Sequence, residues 1–205
     1  MRPQLRSPGP PGTQYGLMGA NLAVFGAEQY ARSTGNYRLR LFIDRNFVCS
    51  RTRPIWTLVT SGFHHADASH LAVNMLGLYF FGGAVGAAIG ASRLVAMYMA
   101  CSAAGAWLHN RASAFNAGVR GASSAVVGYT IFYAAANPTG TIFVMLVPVP
   151  ARVYAMGFLA LELMQVSARD GISHWAHLGG AAAGLAAFVA CRRGFATWPF
   201  GRRLV

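Results

Sequence analysis

Long apolar runs recur along this 205-residue chain, and they constrain its fold more than any other feature. Six runs carry few charges, at about 15–30, 70–90, 93–109, 121–136, 153–167 and 172–191. An α-helix needs about 20 residues to cross a bilayer, and several of these runs are nearer 16 residues long. The pattern predicts an all-α membrane protein with a bundle of six transmembrane helices.

Composition supports a membrane protein over a soluble domain. Residues of the AVILMFWYC set make up 55% of the chain and charged residues only 11%, too few for the surface of a soluble domain. The net charge of +12 comes entirely from arginine, which punctuates the apolar runs and forms no nucleic-acid recognition motif. We therefore expect contacts with anionic lipid head groups and no nucleic-acid partner.

The connection between the first two runs, 31–69, is unusually apolar for a loop. It carries six arginines together with Phe42, Phe47, Trp56 and Phe63. Aromatic and basic side chains favour the membrane–water interface. We expect this first loop to associate with the membrane surface.

The two ends of the chain differ in composition from the runs between them. Residues 1–14 are rich in Pro and Gly and lack the apolar segment of a cleavable signal peptide, and 193–205 are basic. We predict a flexible N-terminal tail (1–14), a six-span domain (15–192) and a basic C-terminal tail (193–205). The three cysteines are odd in number and indicate buried small side chains, without a disulfide framework.

Polar side chains cluster near the starts of the second, fourth and sixth runs. These runs share one direction, so their N-terminal ends lie on one side of the bilayer. The clusters lie at similar depths, roughly 0–9 Å below the boundary at about 1.5 Å per helical residue. Their members are His70 with Asn74, Ser123 with Ser124, and His174 with His177.

The spacing within these clusters indicates chemistry. His177, Gly180 and Gly184 share one helical face, and small residues four apart allow two helices to pack closely in lipid. Such packing could bring His177 within hydrogen-bond reach of a serine of the fourth run. A serine beside a histidine is a nucleophile with its general base, and the pair His70 and Asn74, on one face, could stabilise an oxyanion. The set predicts acyl transfer, and with water as acceptor, hydrolysis.

These motifs resemble those of the rhomboid intramembrane serine proteases. The matching patterns, in the family's order over about 56–191, are the H-x-x-x-N of His70 and Asn74, the G-x-S-x that begins at Gly121, and the H-x-x-G-x-x-x-G that begins at His177. The resemblance implies a rhomboid-like six-helix bundle that cleaves single-span or multi-span membrane proteins without a cofactor. The stretch SGFHHADASHLAVNM resembles the mitochondrial presenilin-associated rhomboid-like branch.

By this resemblance Ser123 is the nucleophile and His177 its base. His70, Asn74 and the Ser123 backbone N–H form the oxyanion hole, while Gly121, Gly180 and Gly184 are packing positions. Three positions depart from the family pattern: Ser124 replaces a common glycine, Val127 an aromatic that stacks on the catalytic histidine, and Thr57 the arginine of a Trp-Arg pair.

The polar residues allow other assignments. Ser124 points about 100° away from Ser123 and is interpreted as a packing residue. His174, one turn before His177, is a second candidate base that lacks the glycine spacing. His64, His65 and His70 could suggest zinc, but no thiol or carboxylate completes a ligand set, so we expect no metal.

The acidic residues are expected to have structural roles. Asp67 is predicted to cap the second span, because its carboxylate lies three residues before His70. Glu162 is predicted to face the bundle interior and to hydrogen-bond there, without a catalytic role. No acid accompanies His177 on the sixth run, so the sequence predicts a Ser-His dyad.

Two other classes of protein remain as alternatives. A catalytically inactive rhomboid-like protein could bind or translocate membrane clients, although such proteins typically lose the serine or the histidine. A small channel or transporter would favour polar residues along a path through the bilayer, whereas here they stop near one side. The expected location is a mitochondrial inner membrane or a bacterial plasma membrane, and the oligomeric state stays open.

Overall fold

The computed structural model describes residues 12–113, 117–144, 146–168 and 170–192. Its elements in chain order are α1 (Thr13–Ser33), α2 (Tyr37–Phe47), α3 (Thr57–Thr60), a 3-10 turn (Ser61–Phe63), α4 (Ala68–Gly77), a π-helical turn (Leu78–Gly82), α5 (Gly83–Ile89), α6 (Ala91–Ala112), α7 (Ser123–Ala136), β1 (Thr141–Val144), β2 (Val147–Pro150), α8 (Ala151–Met164) and α9 (His174–Arg192). The predicted C-terminal tail and all but the last residues of the predicted N-terminal tail lie outside the described residues.

Each of the six apolar runs forms a helix, or in the second case a helix interrupted by the π-helical turn. By length and hydropathy, one helix of the described ranges, Ala68–Ile89, is long and apolar enough to cross a membrane, and Ser123–Ala136 is apolar but shorter. Histidine, arginine and glycine lower the hydropathy of α6 and α9. The structure therefore confirms a helix at each of the six runs, while the six membrane crossings stay a prediction.

The apolar stretch between the fourth and fifth runs forms two strands, which corrects the all-α expectation to a mostly helical fold. β1 and β2 pair antiparallel, with Ile142 opposite Val149. β-branched residues favour strands, and prolines at 148 and 150 disfavour a helix through this stretch. The hairpin leads directly into α8, since the Ala151 N–H donates to the Gly140 carbonyl at 2.7 Å.

The centre of the fold is the packing of α9 against α6 and α7. Tyr98, Tyr129 and Phe132 are fully buried there. The Tyr129 hydroxyl donates to the Leu94 carbonyl at 2.7 Å, which satisfies its polar end in the core. The three cysteines are free and buried, which confirms their interpretation as small core side chains.

The first loop is folded against the helical core. The Tyr98 hydroxyl donates to the Gly62 carbonyl at 2.7 Å. Cys49 and Val119 form an antiparallel bridge that holds the loop beside the segment leading into α7. Phe42 and Trp56 are more than half exposed, as a loop in the membrane interface would present them.

Candidate active site

The turn before α7 places Ser123 at the first position of that helix. Gly121 adopts φ +121°, a region that favours glycine. Its N–H donates to the Ser61 carbonyl at 2.9 Å. A Cβ at this position would lie 2.6 Å from His70 Cε1, so a larger residue would collide with that imidazole.

A buried histidine of the first loop holds the same turn. The Ala122 N–H donates to His65 Nε2 at 3.3 Å. Burial lowers the pKa of His65 to about 3, so its imidazole is neutral at physiological pH and its Nε2 can accept this bond. The sequence indicated no such role, because the two partners lie 57 positions apart.

The adjacent serines have different surroundings. Ser124 is buried, and a Cβ on Gly105 of α6 would lie 2.4 Å from its Oγ. Ser123 is only partly buried. Within the described ranges its hydroxyl forms no hydrogen bond to His177, so their contact stays a prediction. The free N–H groups of the first turn of α7 give this end of the helix a partial positive charge.

Glycines bring α9 to the backbone of α7. A Cβ on Gly180 would lie 2.1 Å from the Ser124 carbonyl oxygen, and one on Gly184 would lie 2.2 Å from the Gly128 carbonyl oxygen. Real Cβ atoms do not tolerate such distances. The first turns of the two helices, with Ser123 and His177, are therefore neighbours.

Both candidate bases of α9 contact the carboxylate of Glu162 on α8. His177 Nδ1 lies 3.0 Å from Glu162 Oε1, and His174 Nδ1 lies 2.8 Å from Oε2. His174 Nε2 lies 3.1 Å from the Asp170 carboxylate, so both of its ring nitrogens are engaged. His177 keeps Nε2 available, which favours it over His174 as a base. Glu162 hydrogen-bonds inside the protein, as predicted.

An aromatic side chain lies beside His177 despite the departure at Val127. The ring centroid of Phe158 is 6.3 Å from that of His177, with the planes tilted by 38°. Phe158 and Glu162 are four residues apart on α8 and share the face turned to His177. α8 thus supplies an aromatic contact that the family pattern places on the fourth span.

α4 carries the two predicted oxyanion donors. The His70 N–H donates to Asp67 Oδ1 at 2.8 Å, which confirms Asp67 as the cap. A hydrogen bond from the Ser69 hydroxyl, with that from the His70 amide, lowers the pKa of Asp67 and keeps the cap ionised. The Asn74 amide donates one N–H to the His70 carbonyl at 2.8 Å, and its second N–H can serve a ligand. His70 and His177 are close enough to interact electrostatically.

One group among the described residues could hold a metal ion. The ligand atoms of Glu162, His174 and His177 lie within 4.8 Å of one another. The histidines considered from the sequence, in the first loop and at the start of α4, do not form this group. In the structure these atoms contact one another directly, since Nδ1 of each histidine lies within hydrogen-bond distance of a Glu162 oxygen.

Comparison with known proteins decides the family. The family model described as the Rhomboid domain matches residues 52–194. The chain belongs to the rhomboid family. The match includes every candidate site residue on α4, α7, α8 and α9, and rhomboid proteins are membrane proteins.

Three curated relatives carry rhomboid names. The mitochondrial RHOMBOID-like protein 12 of Arabidopsis thaliana is 28% identical, over 75% of this chain and 52% of that protein. The chloroplastic Rhomboid-like protein 16 of the same plant is 27% identical, over 89% and 63%. The mitochondrial Rhomboid protein 1 of Saccharomyces cerevisiae is 30% identical, over 83% and 51%. The chain spans about half to two thirds of the length of these relatives.

Proposed function

We propose that this rhomboid-family protein is an intramembrane serine endopeptidase that cleaves transmembrane segments of other membrane proteins. The observation that carries the proposal is the approach of α9 to the start of α7, where a Cβ on Gly180 would lie 2.1 Å from the Ser124 carbonyl oxygen. Helices in lipid pack this closely only through small residues. The packing makes neighbours of the turns that hold Ser123 and His177.

In the proposed reaction Ser123 Oγ attacks the scissile carbonyl carbon and its proton passes to His177 Nε2. The C–N bond then breaks, and the same proton leaves with the amine of the departing fragment. Water attacks the resulting ester, gives a proton to Nε2, and releases the second fragment. That proton returns to Ser123 Oγ, and no cofactor enters the cycle.

The negative charge on the carbonyl oxygen is stabilised in this proposal by three donors. The Ser123 backbone N–H lies at the positive end of α7. The second N–H of Asn74 and the imidazole of His70 come from α4, and the absence of a side chain at Gly121 leaves room for that imidazole beside the turn. Donors from separate helices make this stabilisation partly redundant.

The proposed setting is a six-span bundle made of α1, the Ala68–Ile89 helix, α6, α7, α8 and α9, with the first loop in the interface. Substrates are single-span or multi-span membrane proteins, reached within the bilayer. The mitochondrial names of two relatives favour a mitochondrial membrane over a bacterial plasma membrane. Retention of Ser123 and His177 favours the protease over an inactive rhomboid-like protein that binds or translocates clients.

A fluorophosphonate probe tests the assignment of the nucleophile. Purified protein in detergent is labelled, and the modified residue is located by mass spectrometry. The proposal expects label on Ser123 in the wild type and in Ser124→Ala, and none in Ser123→Ala. Label on Ser124, or none in a folded wild type, would contradict it.

A further inference from the structure

Glu162 is a buried carboxylate on α8 that bridges two histidines of α9. Its side chain is 8% exposed, and each of its oxygens contacts a different imidazole. Oε1 lies 3.0 Å from His177 Nδ1, and Oε2 lies 2.8 Å from His174 Nδ1. A buried acid in an apolar helix is costly unless it is paired, so this arrangement has a structural reason to persist.

The contact determines which nitrogen of His177 carries the proton. A carboxylate only accepts hydrogen bonds, so Nδ1 must be the N–H that donates to Oε1. In a neutral imidazole the lone pair then lies on Nε2. Nε2 is the nitrogen left to accept the Ser123 proton in the proposed reaction.

The second oxygen of the Glu162 carboxylate, Oε2, contacts His174. Both nitrogens of His174 face carboxylate oxygens, Glu162 at 2.8 Å and Asp170 at 3.1 Å, which suits two N–H donors. Hydrogen bonds from the Ile172 backbone and from His174 lower the pKa of Asp170 and keep it ionised, although burial opposes this. His174 thus fixes the second oxygen of Glu162 and cannot itself act as a base.

We propose that Glu162 is a positioning residue for the catalytic base, so that Ser123, His177 and Glu162 act as a triad and not as a dyad. This inference rests on the proposed protease function. Glu162 fixes the orientation of the imidazole, with Nδ1–H toward the carboxylate on α8 and Nε2 left available for the Ser123 proton. When His177 takes the Ser123 proton, the positive ring faces the Glu162 carboxylate, and the proton on Nδ1 stays there.

The other titratable groups near His177 are His174 and His70, and each opposes a positive charge on the His177 ring when it is itself protonated. His174 on the same helix is engaged by the two acids, and His70 on α4 is a like-charge neighbour when protonated. Glu162 is the acid that contacts His177 among the described residues. The sequence predicted a dyad because the sixth run contains no acid beside His177. Glu162 comes from the fifth run instead.

Substitution of Glu162 separates positioning from folding. Glu162→Gln keeps the shape and removes the charge, and Glu162→Asp keeps the charge one methylene further away. We expect Glu162→Gln to lower kcat by at least about 10-fold and by up to about 10⁴-fold, the loss when a triad acid becomes its amide, with KM for a model single-span substrate unchanged. Glu162→Asp should recover part of kcat.

The matched control is Glu28→Gln. Glu28 is a buried acid of α1 that pairs with Arg32 and, among the described residues, forms no hydrogen bond to Ser123 or His177, so its loss should affect thermal stability and leave kcat unchanged. A folded Glu162→Gln with kcat within about twofold of wild type would overturn the inference.

If all variants at Glu162 fail to fold, the tautomer of His177 in the wild-type protein still tests the inference. Its imidazole ¹⁵N shifts, assigned with His177→Gln, should report the Nδ1–H tautomer, and an Nε2–H tautomer would overturn the proposal.

Different results would refute the proposed function and the proposed role of Glu162. A wild type that takes no fluorophosphonate label and cleaves nothing would refute the protease itself. A wild type labelled at Ser123, with Glu162→Gln labelled as fast, would refute only the role of Glu162.

Discussion

Gly180 of α9 lies directly against the backbone of Ser124 on α7, since a Cβ on the glycine would come within 2.1 Å of the serine carbonyl oxygen. The serine itself follows the proposed nucleophile, and the glycine lies three residues after the proposed base. The relationship therefore links helix packing to the geometry of the candidate site.

Gly180→Leu should lower activity and thermal stability together. The new side chain meets backbone atoms, which cannot rotate away, so α9 must move off α7. Overpacking of this kind costs about 1–3 kcal/mol of unfolding free energy, and displacement of His177 should reduce turnover further. Thermal melting and substrate cleavage are measured on the same preparation.

Gly19→Leu is the matched control for this substitution. Gly19 lies in α1, and a Cβ added there would have no atom within 4 Å, so the larger side chain should be accepted with activity unchanged. If Gly180→Leu melts and cleaves like Gly19→Leu, the close approach does not organise the site.

Asn74→Ala and His70→Ala should each leave residual cleavage. Removal of one oxyanion donor typically lowers turnover by about 10²–10³-fold, and the other donors on α4 and α7 should make the loss smaller here. KM should change little, because the interaction strengthens in the transition state. Steady-state kinetics of both variants provide the measurement, and complete loss of activity in a folded single variant would argue against redundant donors.

Ser124→Ala should be nearly silent in cleavage. Its Oγ packs against Gly105 of α6, so alanine removes a packing atom and no group of the proposed reaction. Cleavage rates of Ser124→Ala and Ser123→Ala are compared side by side. Activity that survives in Ser123→Ala and disappears in Ser124→Ala would show that the other serine is the nucleophile.

Acid should destabilise the fold through His65. Burial lowers the pKa of His65 to about 3 from an unfolded value near 6.5, so the unfolded chain binds the proton first as pH falls. The stability is fully present above about pH 6.5 and decreases through the window down to about pH 3, by about 1.4 kcal/mol per pH unit within it.

His65→Gln should reduce this pH dependence. An amide oxygen can still accept the Ala122 N–H but does not titrate. Melting temperatures are recorded for both proteins between about pH 6.5 and pH 4.5, which lies within the window set by the two pKa values. His64, whose pKa burial lowers to about 4, should leave part of the slope in the variant. Equal slopes in the two proteins would rule out His65 as a source.

The helices were predictable because each is a long apolar run, and the cap at Asp67 because it depends on residues three apart. The hairpin was not predicted because TIFVMLVPVP is as apolar as the helical runs. Its β-branched residues and prolines, which favour strands over helix, are a weaker signal than its apolar character. Helix periodicity identified the face shared by Gly180 and Gly184, since their spacing is local.

The contacts made by Glu162, Phe158 and His65 could not be predicted in the same way. Each depends on how separate segments pack, and no local spacing connects α8 to α9 or the first loop to α7. The one available signal for Glu162 was a lone carboxylate in an apolar run, which indicates a buried partner without naming it.

Cleavage of a model single-span substrate in liposomes by wild type, Ser123→Ala and His177→Ala is the decisive comparison for the proposed protease. Both variants should fold, by thermal melting, and lose cleavage, because each removes half of the nucleophile–base unit. Wild-type turnover with none in either variant is the expected result. Cleavage that persists in a folded Ser123→Ala would refute the Ser123–His177 mechanism.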